Sequence, residues 1–248
     1  MGKLEGRRAL VTGGSRGIGR GIALAFADAG ADVAIGYRRE VAAAESTVKA
    51  IEAKGRRAVA IAADVRDADA VEAMVKNARD ALDGLDTVVA NAGVPTRYEP
   101  LEAVEISYWQ RVIDIDLNGV FYTLRAAIPV LRQGDGGVIL AVSSIAADAC
   151  AAFGGPYVAS KAAVNALTIM AARENAKHNI RCNVIAPGLI ATDMGDGLVS
   201  AHGEAIVKAI PMRRMGSVDE VGALAVYLAS DDAAFVTGEV FRIDGGQW

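Results

Sequence analysis

Cysteine, histidine and long apolar runs are scarce in this sequence. Its two cysteines, Cys150 and Cys182, are too few for a disulfide framework or a cysteine-ligated metal. Its two histidines, His178 and His202, lie too far apart for the ligand spacing of a metal site. No apolar run approaches the ~20 residues that a membrane-spanning helix needs. We therefore expect no metal, no disulfide scaffold and no membrane partner.

Charge of either sign is spread along the chain without clustering. Lys and Arg total 26, Asp and Glu total 30, and the net charge is −4. A nucleic-acid-binding surface needs Lys and Arg concentrated in one patch, so we expect no nucleic-acid partner. Residues 1–8 hold no apolar signal core before the first predicted strand, and we expect a cytoplasmic protein.

Apolar strands and helical patterns alternate along the whole chain of 248 residues, of which 52% are hydrophobic. We predict strands near 8–12, 32–37, 58–62, 87–90, 138–142, 181–186 and 240–243. We predict helices near 17–29, 41–54, 67–83, 102–131, 156–177 and 218–230. This alternation predicts an α/β fold, a doubly wound parallel sheet of about seven strands with helices on both faces, in a single domain 1–248.

Residues 189–212 interrupt the alternation. They contain Gly195, Gly197 and Gly203 together with polar and apolar patches, which predict one or two short helices. Loops at the carboxyl ends of parallel strands bind ligands in such sheets. We interpret the segment as a mobile lid over a substrate, and an ordinary surface excursion is the alternative.

A glycine-rich turn, T-G-G-S-R-G-I-G at 12–19, follows the first predicted strand and precedes an apolar helical pattern. Glycine permits a sharp turn and lets a pyrophosphate approach the backbone amides. The helix that follows adds unpaired N–H groups and the positive end of its dipole. In this strand–turn–helix context the motif predicts dinucleotide binding.

Tyr157 and Lys161 form the second signal. They are four residues apart on one face of a predicted helix, so the ammonium can lie beside the phenol. A free phenol holds its proton too tightly to act as a base at neutral pH, and a neighbouring positive charge lowers its pKa. Such a phenol can pass a proton to or from a carbonyl or alcohol oxygen. The pattern is weak alone, because both residues are common on helix surfaces.

The spacing T-G-x-x-x-G-x-G, paired with a distant Y-x-x-x-K, resembles the short-chain dehydrogenase/reductase family. The resemblance covers essentially the whole chain. It extends to Asp64-Val65, Asn91-Ala92-Gly93, Asn118, Ser143-Ser144, Pro187-Gly188 and Asp244-Gly245-Gly246. It implies a Rossmann-type fold and an oxidoreductase that transfers a hydride between NAD(P)(H) and a carbonyl or secondary alcohol.

The glycine turn, the end of the second strand and the matching family positions together give the predicted cofactor contacts. These are Gly13, Ser15, Arg16, Gly17, Ile18, Gly19, Tyr37, Arg38, Asp64, Val65, Asn91, Ala92, Gly93, Tyr157, Lys161, Pro187, Gly188, Ile190 and Thr192. The resemblance implies that Asp64 recognises adenine and that Thr192 hydrogen-bonds the nicotinamide carboxamide. The family pattern Asn-Asn-Ala-Gly has Ala90 at its first position here.

The end of the second strand bears on the choice between NAD and NADP. An NAD-preferring site usually carries a carboxylate there, and Tyr37 occupies that place. Arg38 and Arg16 would hold a 2′-phosphate well and gain little from a hydroxyl. We predict NADP(H) preference, with NAD(H) use possible if both arginines are ordinary surface residues.

The resemblance implies a catalytic tetrad of Asn118, Ser144, Tyr157 and Lys161. Tyr157 is the predicted general acid in reduction and base in oxidation, Lys161 lowers its pKa, and Ser144 donates to the substrate oxygen. Asparagine is a poor interior helix residue, so Asn118 suggests a kink that holds a water next to Lys161. Taken singly, Ser144 fits a strand-end cap and Asn118 a helix defect. Ser143 is less favoured, because the family serine lies thirteen residues before the tyrosine, as Ser144 does.

Within the family the chain is most similar to the bacterial 3-oxoacyl-(acyl carrier protein) reductase group. The leading prediction is a 3-oxoacyl-thioester or ketone reductase, the alternative a sugar, polyol or other alcohol dehydrogenase, and the remote alternative a non-catalytic NADPH-binding protein. An acidic carrier protein needs a basic patch beside the cleft, for which Arg213-Arg214 is the nearby candidate. The family also implies a homotetramer that covers Val104, Tyr108, Trp109, Phe121 and Trp248.

Overall fold

The computed structural model describes residues 2–150 and 152–248, and for His202 its backbone alone. Within this part of the chain, seven strands form one sheet. They are β1 (Arg8–Thr12), β2 (Asp32–Tyr37), β3 (Ala58–Ala62), β4 (Thr87–Ala90), β5 (Gly137–Val142), β6 (Ile180–Pro187) and β7 (Val240–Ile243). The helices are α1 (Gly17–Asp28), α2 (Val41–Glu52), α3 (Ala68–Leu82), α4 (Ile106–Ile113), α5 (Gly119–Gln133), α6 (Ala146–Ala149), α7 (Gly155–Asn175), α8 (Asp193–His202), α9 (Ala205–Lys208) and α10 (Val218–Ala229).

The sheet has the strand order β3-β2-β1-β4-β5-β6-β7, and every neighbouring pair is parallel. From β1 the chain winds outward to β3, and from β4 it winds outward in the other direction to β7. The order therefore reverses between β1 and β4. In open α/β sheets, ligands bind at such a switch point, beyond the carboxyl ends of the strands.

Alternate residues of each central strand enter two separate hydrophobic cores. In β1, Val11 packs with α1, α2 and α10, whereas Leu10 packs with α3, α5 and α7. In β5, Leu140 and Ile139 divide in the same way. Side chains on a strand point to opposite faces with a period of two, so continuous apolar strands cover both faces of the sheet. The predicted doubly wound fold is thereby confirmed.

The predicted helix at 102–131 is the main element that differs. The structure has a short 3₁₀ turn, Leu101–Ala103, then α4, a π-helical turn at Asp114–Asn118, and α5. A π-turn inserts one residue into the helix and shifts the face that follows it. Its side chains are therefore presented differently from those of an uninterrupted helix.

The segment 189–212 contains the short helices α8 and α9, as the sequence predicted. It returns to the body of the protein through a parallel bridge between Ile190 and Gly216. Among the described residues, no helix is long and apolar enough to cross a membrane. Within the same ranges, no three His, Cys, Asp or Glu side chains are grouped so as to hold a metal ion.

Candidate active site

A cleft of about 580 Å³ lies over the switch point of the sheet. It is lined by the glycine turn after β1 and by the segments that follow β2, β3, β4 and β5, and α7 and the start of α8 complete its wall. Small-molecule and cofactor sites occupy volumes of this order. The cleft lies where the sequence predicted the site, at the carboxyl ends of the strands.

The glycine turn is held against the end of β4 by Asn91. The Asn91 side-chain amide donates to the carbonyl oxygens of Thr12 (2.8 Å) and Gly13 (3.3 Å), and the Asn91 main-chain N–H donates to the Thr12 hydroxyl (2.9 Å). A Cβ on Gly19 would stand 2.4 Å from the Asn91 amide nitrogen. Only glycine allows this approach, so Asn91 fixes the shape of the turn as well as lining the cleft.

This turn fits a dinucleotide pyrophosphate. Gly13 and Gly17 have positive φ values, +65° and +55°, which fold the backbone around the cleft. Helix α1 begins at Gly17, and no side chain caps its N-terminus. Its first N–H groups and the positive end of its dipole are thus available to an anion, as phosphate binding requires.

The rim at the end of β2 carries the residues on which cofactor preference depends. Tyr37 and Arg38 line the cleft together with Arg39 and Glu40, which the sequence analysis did not include. Arg16 lines it from the glycine turn, and its guanidinium lies 3.6 Å from the carboxylate of Asp193 at the start of α8. Three guanidinium groups, those of Arg16, Arg38 and Arg39, therefore line this rim. The carboxylate that the end of β2 contributes to the rim is that of Glu40.

Asp64, the predicted adenine contact, is paired within its own loop. Its carboxylate accepts hydrogen bonds from the Arg66 guanidinium, with a shortest distance of 2.5 Å. The Arg66 guanidinium holds the pKa of the Asp64 carboxyl below its usual range. Both side chains are partly exposed, so the pair is accessible to a ligand in the cleft.

Tyr157 and Lys161 both line the cleft from α7. The Lys161 ammonium lies 5.5 Å from the centroid of the Tyr157 ring and donates to the carbonyl oxygen of Val142 (3.1 Å). Lys161 is buried and Tyr157 is half-buried. The structure therefore brings the predicted cation next to the predicted proton carrier and anchors it on the end of β5.

The side chains of Ser143 and Ser144, at the end of β5, make different hydrogen bonds. The buried Ser143 hydroxyl donates to the main-chain carbonyl of Lys161 (3.0 Å), so it supports α7. The Ser144 hydroxyl accepts from the N–H of Ala146 (3.1 Å), and among the described residues it donates to no group. Ser144 thus caps the turn after β5, and of the two serines it is Ser143 that lines the cleft.

Asn118 is not part of this cluster. Its side-chain amide donates to Asp114 (3.0 Å) on its own turn, and it lines a separate apolar depression on the outer side of α5 and α7. Asn118 was predicted to hold a water in a proton relay to Lys161, and its side chain is instead bonded to Asp114 and does not line the cleft. Asn118 lies off the buried face of the helix, whereas Asp116 lies on it.

Asp116 occupies the place beside Lys161. Its carboxylate is fully buried, with one oxygen 3.5 Å from the Lys161 ammonium and the other accepting the N–H of Val94 (3.0 Å). Burial raises the pKa of Asp116, and the Lys161 charge and the Val94 N–H oppose that rise. A signal in the sequence points to this residue, because Val112, Ile115, Asp116, Gly119 and Val120 follow the i, i+3, i+4 spacing of a buried face.

Most predicted cofactor contacts line the cleft, and three do not. Pro187 ends β6, Gly188 donates its N–H to Ile243 (3.0 Å), and Ile190 belongs to the core under α1 and α10. Thr192 does line the cleft, where its hydroxyl caps α8 by accepting from the N–H of Gly195 (3.2 Å).

The sequence analysis missed several residues that complete the cleft. They share no motif and reach it from five separate segments: Arg39, Glu40, Met74, Val94, Pro95, Ile115, Asp116, Asp193 and Met194. Apart from Asp116, whose place on the buried stripe is visible in the sequence, their positions depend on how those segments pack around the switch point.

Comparison with known proteins gives consistent results across the chain. A family model described as enoyl-(acyl carrier protein) reductase matches residues 13–247. The 3-oxoacyl-(acyl-carrier-protein) reductase FabG of Staphylococcus aureus is 41% identical over 246 residues, which cover 98% of each chain. L-rhamnose 1-dehydrogenase (NAD(P)⁺) of a Sphingomonas species is 38% identical over 248 residues, 99% of this chain and 97% of that one.

Solved structures agree in fold and in family. A short-chain dehydrogenase of Burkholderia cenocepacia, crystallised in complex with NADP, superposes with a TM-score of 0.92 at 37% identity and covers 99% of each chain. The glycine turn, the Tyr157–Lys161 pair and the strand order β3-β2-β1-β4-β5-β6-β7 lie within these full-length matches. The chain belongs to the short-chain dehydrogenase/reductase family of oxidoreductases.

Proposed function

We propose that the protein is an NADP(H)-preferring reductase of 3-oxoacyl thioesters or related ketones. The observation that carries the proposal is the position of Tyr157 and Lys161 in the wall of a cleft whose far rim holds Arg16 and Arg38. A proton carrier at one end and cations at the other match the two ends of a phosphorylated nicotinamide dinucleotide. The nicotinamide, when bound, supplies or accepts the hydride.

The residues of the chain supply the proton chemistry. In reduction, the Tyr157 hydroxyl donates its proton to the carbonyl oxygen of the substrate, and in oxidation the phenolate removes the proton of the alcohol. The Lys161 ammonium stabilises that phenolate. The Ser144 hydroxyl donates to the same substrate oxygen and stabilises the charge that develops on it.

The cofactor preference rests on the rim of the cleft. Tyr37 stands where an NAD-preferring site usually has an acid, and Arg16, Arg38 and Arg39 line the surface around it. Guanidinium groups bind a phosphate through charge-assisted hydrogen bonds that a ribose hydroxyl does not offer. The NADP complex of the Burkholderia relative supports this preference.

The substrate class rests on the apolar part of the cleft lining. Val94, Pro95, Ile115 and Met194 line the same cleft as Tyr157. An acyl chain or a ketone gains from such a surface, whereas a sugar needs hydrogen-bonding partners for each hydroxyl. The Staphylococcus relative, named as an acyl-carrier-protein reductase, favours the first class, and the Sphingomonas relative, named as a rhamnose dehydrogenase, keeps the second as the alternative.

One kinetic experiment tests the proposal. Purified protein is mixed with NADPH or NADH and with acetoacetyl thioesters, bulky ketones or, in the oxidising direction with NADP⁺ or NAD⁺, L-rhamnose and polyols, and absorbance of the reduced cofactor is followed. We expect the highest kcat/KM with an acetoacetyl thioester and NADPH. Turnover of sugars alone would overturn the substrate class, and NADPH binding without any turnover would overturn the enzyme assignment.

We also propose a cytoplasmic homotetramer with a lid at 189–212. Phe121 and Trp248 are exposed, and Phe121 lies with Leu167 and Met170 on an apolar face of α5 and α7 that a second copy would cover. Tyr108, predicted to lie in an interface, is buried within the chain, where its hydroxyl accepts the N–H of Arg97 (2.7 Å). Light scattering at micromolar concentration checks the tetramer.

The basic patch expected for an acidic carrier protein is weak. The Arg214 guanidinium is paired with Glu220 (2.6 Å), and Arg213 donates to the carbonyl oxygen of Lys208. A paired guanidinium attracts an acidic partner less than a free one does. We therefore favour small thioesters over the carrier protein as the test substrates.

A further inference from the structure

Asp116 is a buried carboxylate that the proton chemistry above does not use. It lies in the π-turn between α4 and α5, its side chain has no exposed surface, and it lines the inner wall of the cleft. One oxygen, Oδ1, accepts the N–H of Val94. The other, Oδ2, makes no hydrogen bond to the described residues, which is rare for a buried carboxylate oxygen.

The unpartnered oxygen points at the cation that serves Tyr157. Oδ2 lies 3.5 Å from the Lys161 ammonium, longer than the usual 2.7–2.9 Å of a charge-assisted hydrogen bond. A Cβ on Gly93 would stand 3.2 Å from Oδ2 and 3.6 Å from the ammonium nitrogen. Glycine at position 93 therefore leaves the space beside the pair open to the cleft.

Lys161 links the carboxylate to the phenol. Its ammonium has three donors, and one of them is used by the carbonyl oxygen of Val142. The remaining two are available to Asp116 and to the side of the ring of Tyr157, 5.5 Å away. The same ammonium therefore stands between a negative charge and the group whose proton is transferred.

The charge of Asp116 decides how much of the Lys161 charge acts on Tyr157. When Asp116 is ionised, it offsets the ammonium, and the phenolate of Tyr157 gains less stabilisation. When Asp116 is protonated, or replaced by a neutral amide, the full ammonium charge acts on the phenol. In a buried site such charges interact far more strongly than in water.

We propose that Asp116 is a positioning residue that holds the Lys161 ammonium between Val142 and Tyr157 and, through the charge on Oδ2, sets how readily Tyr157 gives up its proton. The proposal rests on the proposed function only in giving Tyr157 its catalytic task. The effect on the phenol itself is a property of this chain without cofactor or substrate.

Few other ionisable groups bear on this cluster among the described residues. From α7, Lys161 is the cation and Tyr157 the phenol. The segment after β4 contributes the uncharged Val94 N–H and, further out, Tyr98, whose pKa burial raises and which interacts electrostatically with Tyr157. β5 contributes the Val142 carbonyl. On the turn itself, Asp114 is occupied by the side-chain amides of Gln110 and Asn118.

The first test is a titration of Tyr157 that needs no activity. The ultraviolet absorbance of phenolate is followed against pH in the protein as it exists, and the curve of Tyr157→Phe is subtracted so that the difference reports Tyr157 alone. We expect the midpoint in Asp116→Asn to lie about one pH unit below that of the wild type, because the ammonium is no longer offset.

Asp114→Asn is the matched control. It removes a carboxylate from the same π-turn, but from the side that faces Gln110 and Asn118 rather than the cleft. Its Tyr157 midpoint should equal that of the wild type. Asp116→Ser, with its smaller neutral side chain, provides a second variant if Asp116→Asn is poorly folded, and its midpoint should move in the same direction.

The second readout uses activity in the oxidising direction, where the phenolate is the base. In Asp116→Asn the rate should reach its plateau at a pH about one unit lower than in the wild type. A wild type without any turnover would overturn the proposed function. The absorbance titration would then still test the role of Asp116. Equal midpoints in folded wild type and both Asp116 variants, a shift in the opposite direction, or an equal shift in Asp114→Asn would each overturn the role of Asp116.

Discussion

Two carboxylate–cation pairs lie in the same cleft and differ in almost every physical respect. Asp64 and Arg66 are partly exposed and close to 2.5 Å, whereas Asp116 and Lys161 are buried and stay 3.5 Å apart. The pKa of Asp64 is lowered by its guanidinium partner, and the pKa of Asp116 is raised by burial. The pKa values of the two carboxyl groups therefore shift in opposite directions, and burial rather than the distance to the cation decides the direction.

Their surroundings explain the difference. Asp64 and Arg66 are also solvated by water, so their ion pair contributes little to folding stability. Either side chain can therefore turn to a ligand. Asp116 has no exposed surface, and its partners within the described residues are the Val94 N–H and the Lys161 ammonium 3.5 Å away. The exposed pair can exchange its internal contact for one with a ligand. The buried pair can influence the proton affinity of its neighbour Tyr157.

The largest expected effect comes from the phenol that the buried pair serves. Tyr157→Phe removes the transferable proton and leaves the cleft lining otherwise intact, so kcat should fall on the order of 10²-fold or more. NADPH binding, followed by fluorescence, should change little. Near-normal turnover in this variant would remove Tyr157 from its proposed role.

The comparison is sharpened by removing the cation from each pair in turn. Lys161→Met leaves the buried Asp116 without its counter-charge and should lower the free energy of unfolding by about 3 kcal/mol. Arg66→Met should lower it by less than about 1 kcal/mol, since its carboxylate can turn to water. Urea unfolding of both variants at neutral pH measures the two losses, and equal losses would contradict the distinction between the pairs.

The residues of the exposed rim should determine the ratio of kcat/KM with NADPH to kcat/KM with NADH. The double variant Tyr37→Asp with Arg38→Gln adds an acceptor for the ribose hydroxyl and a repulsive charge against a 2′-phosphate. We expect the wild type to have about tenfold higher kcat/KM with NADPH than with NADH and the variant to reverse the order. Arg125→Gln, at an exposed arginine outside the cleft, serves as the control and should leave the ratio unchanged.

A wild type that clearly prefers NADH would reject the preference for NADP(H). Tyr37 or backbone groups would then contact the adenine ribose, and Arg16 and Arg38 would be surface charges. Glu40, which lines the same rim, would become the first residue to substitute in that case.

The smallest effect is a difference in the sign of pH-dependent stability. Asp116 has a raised pKa in the folded protein, so its contribution is fully present below its unfolded pKa and is lost as pH rises through the folded value. Asp64 has a lowered pKa, so its contribution is present above its unfolded pKa and is lost as pH falls through the folded value.

The two neutral variants should therefore diverge from the wild type in opposite directions. Relative to wild type, Asp116→Asn should gain stability as pH rises from acid to neutral, and Asp64→Asn should lose it over the same interval. Thermal unfolding at a series of pH values measures both differences. The same slope for both variants would show that burial does not separate the two carboxylates.

Local patterns predicted most of the scaffold correctly. All seven strands fall within two residues of their predicted bounds, because apolar runs between glycines and polar turns leave few alternatives for a covered parallel sheet. The glycine turn and the Tyr157–Lys161 pair were also located correctly, since each depends on neighbours a few residues away. The roles assigned to these residues remain predictions for the experiments above.

The errors arise where a helix meets partners that are distant in sequence. Periodicity alone predicted one helix over 102–131, and the structure divides it into a 3₁₀ turn, α4, a π-helical turn at 114–118 and α5. Pro187, Gly188 and Ile190 do not line the cleft among the described residues, and their contact with the cofactor stays a prediction.

By itself, the sequence determined where the strands lie along the chain, the glycine turn at 12–19 and the pairing of Tyr157 with Lys161 on one helix face. These features depend on hydrophobic periodicity and backbone freedom, which act over short stretches of chain. The sequence spacing puts Asp116 on a buried helix face, but only the tertiary structure decided that this face meets Lys161, since the contact joins the π-turn, the segment after β4 and α7. Burial then sets the charge of Asp116, and burial exists only once the chain is folded.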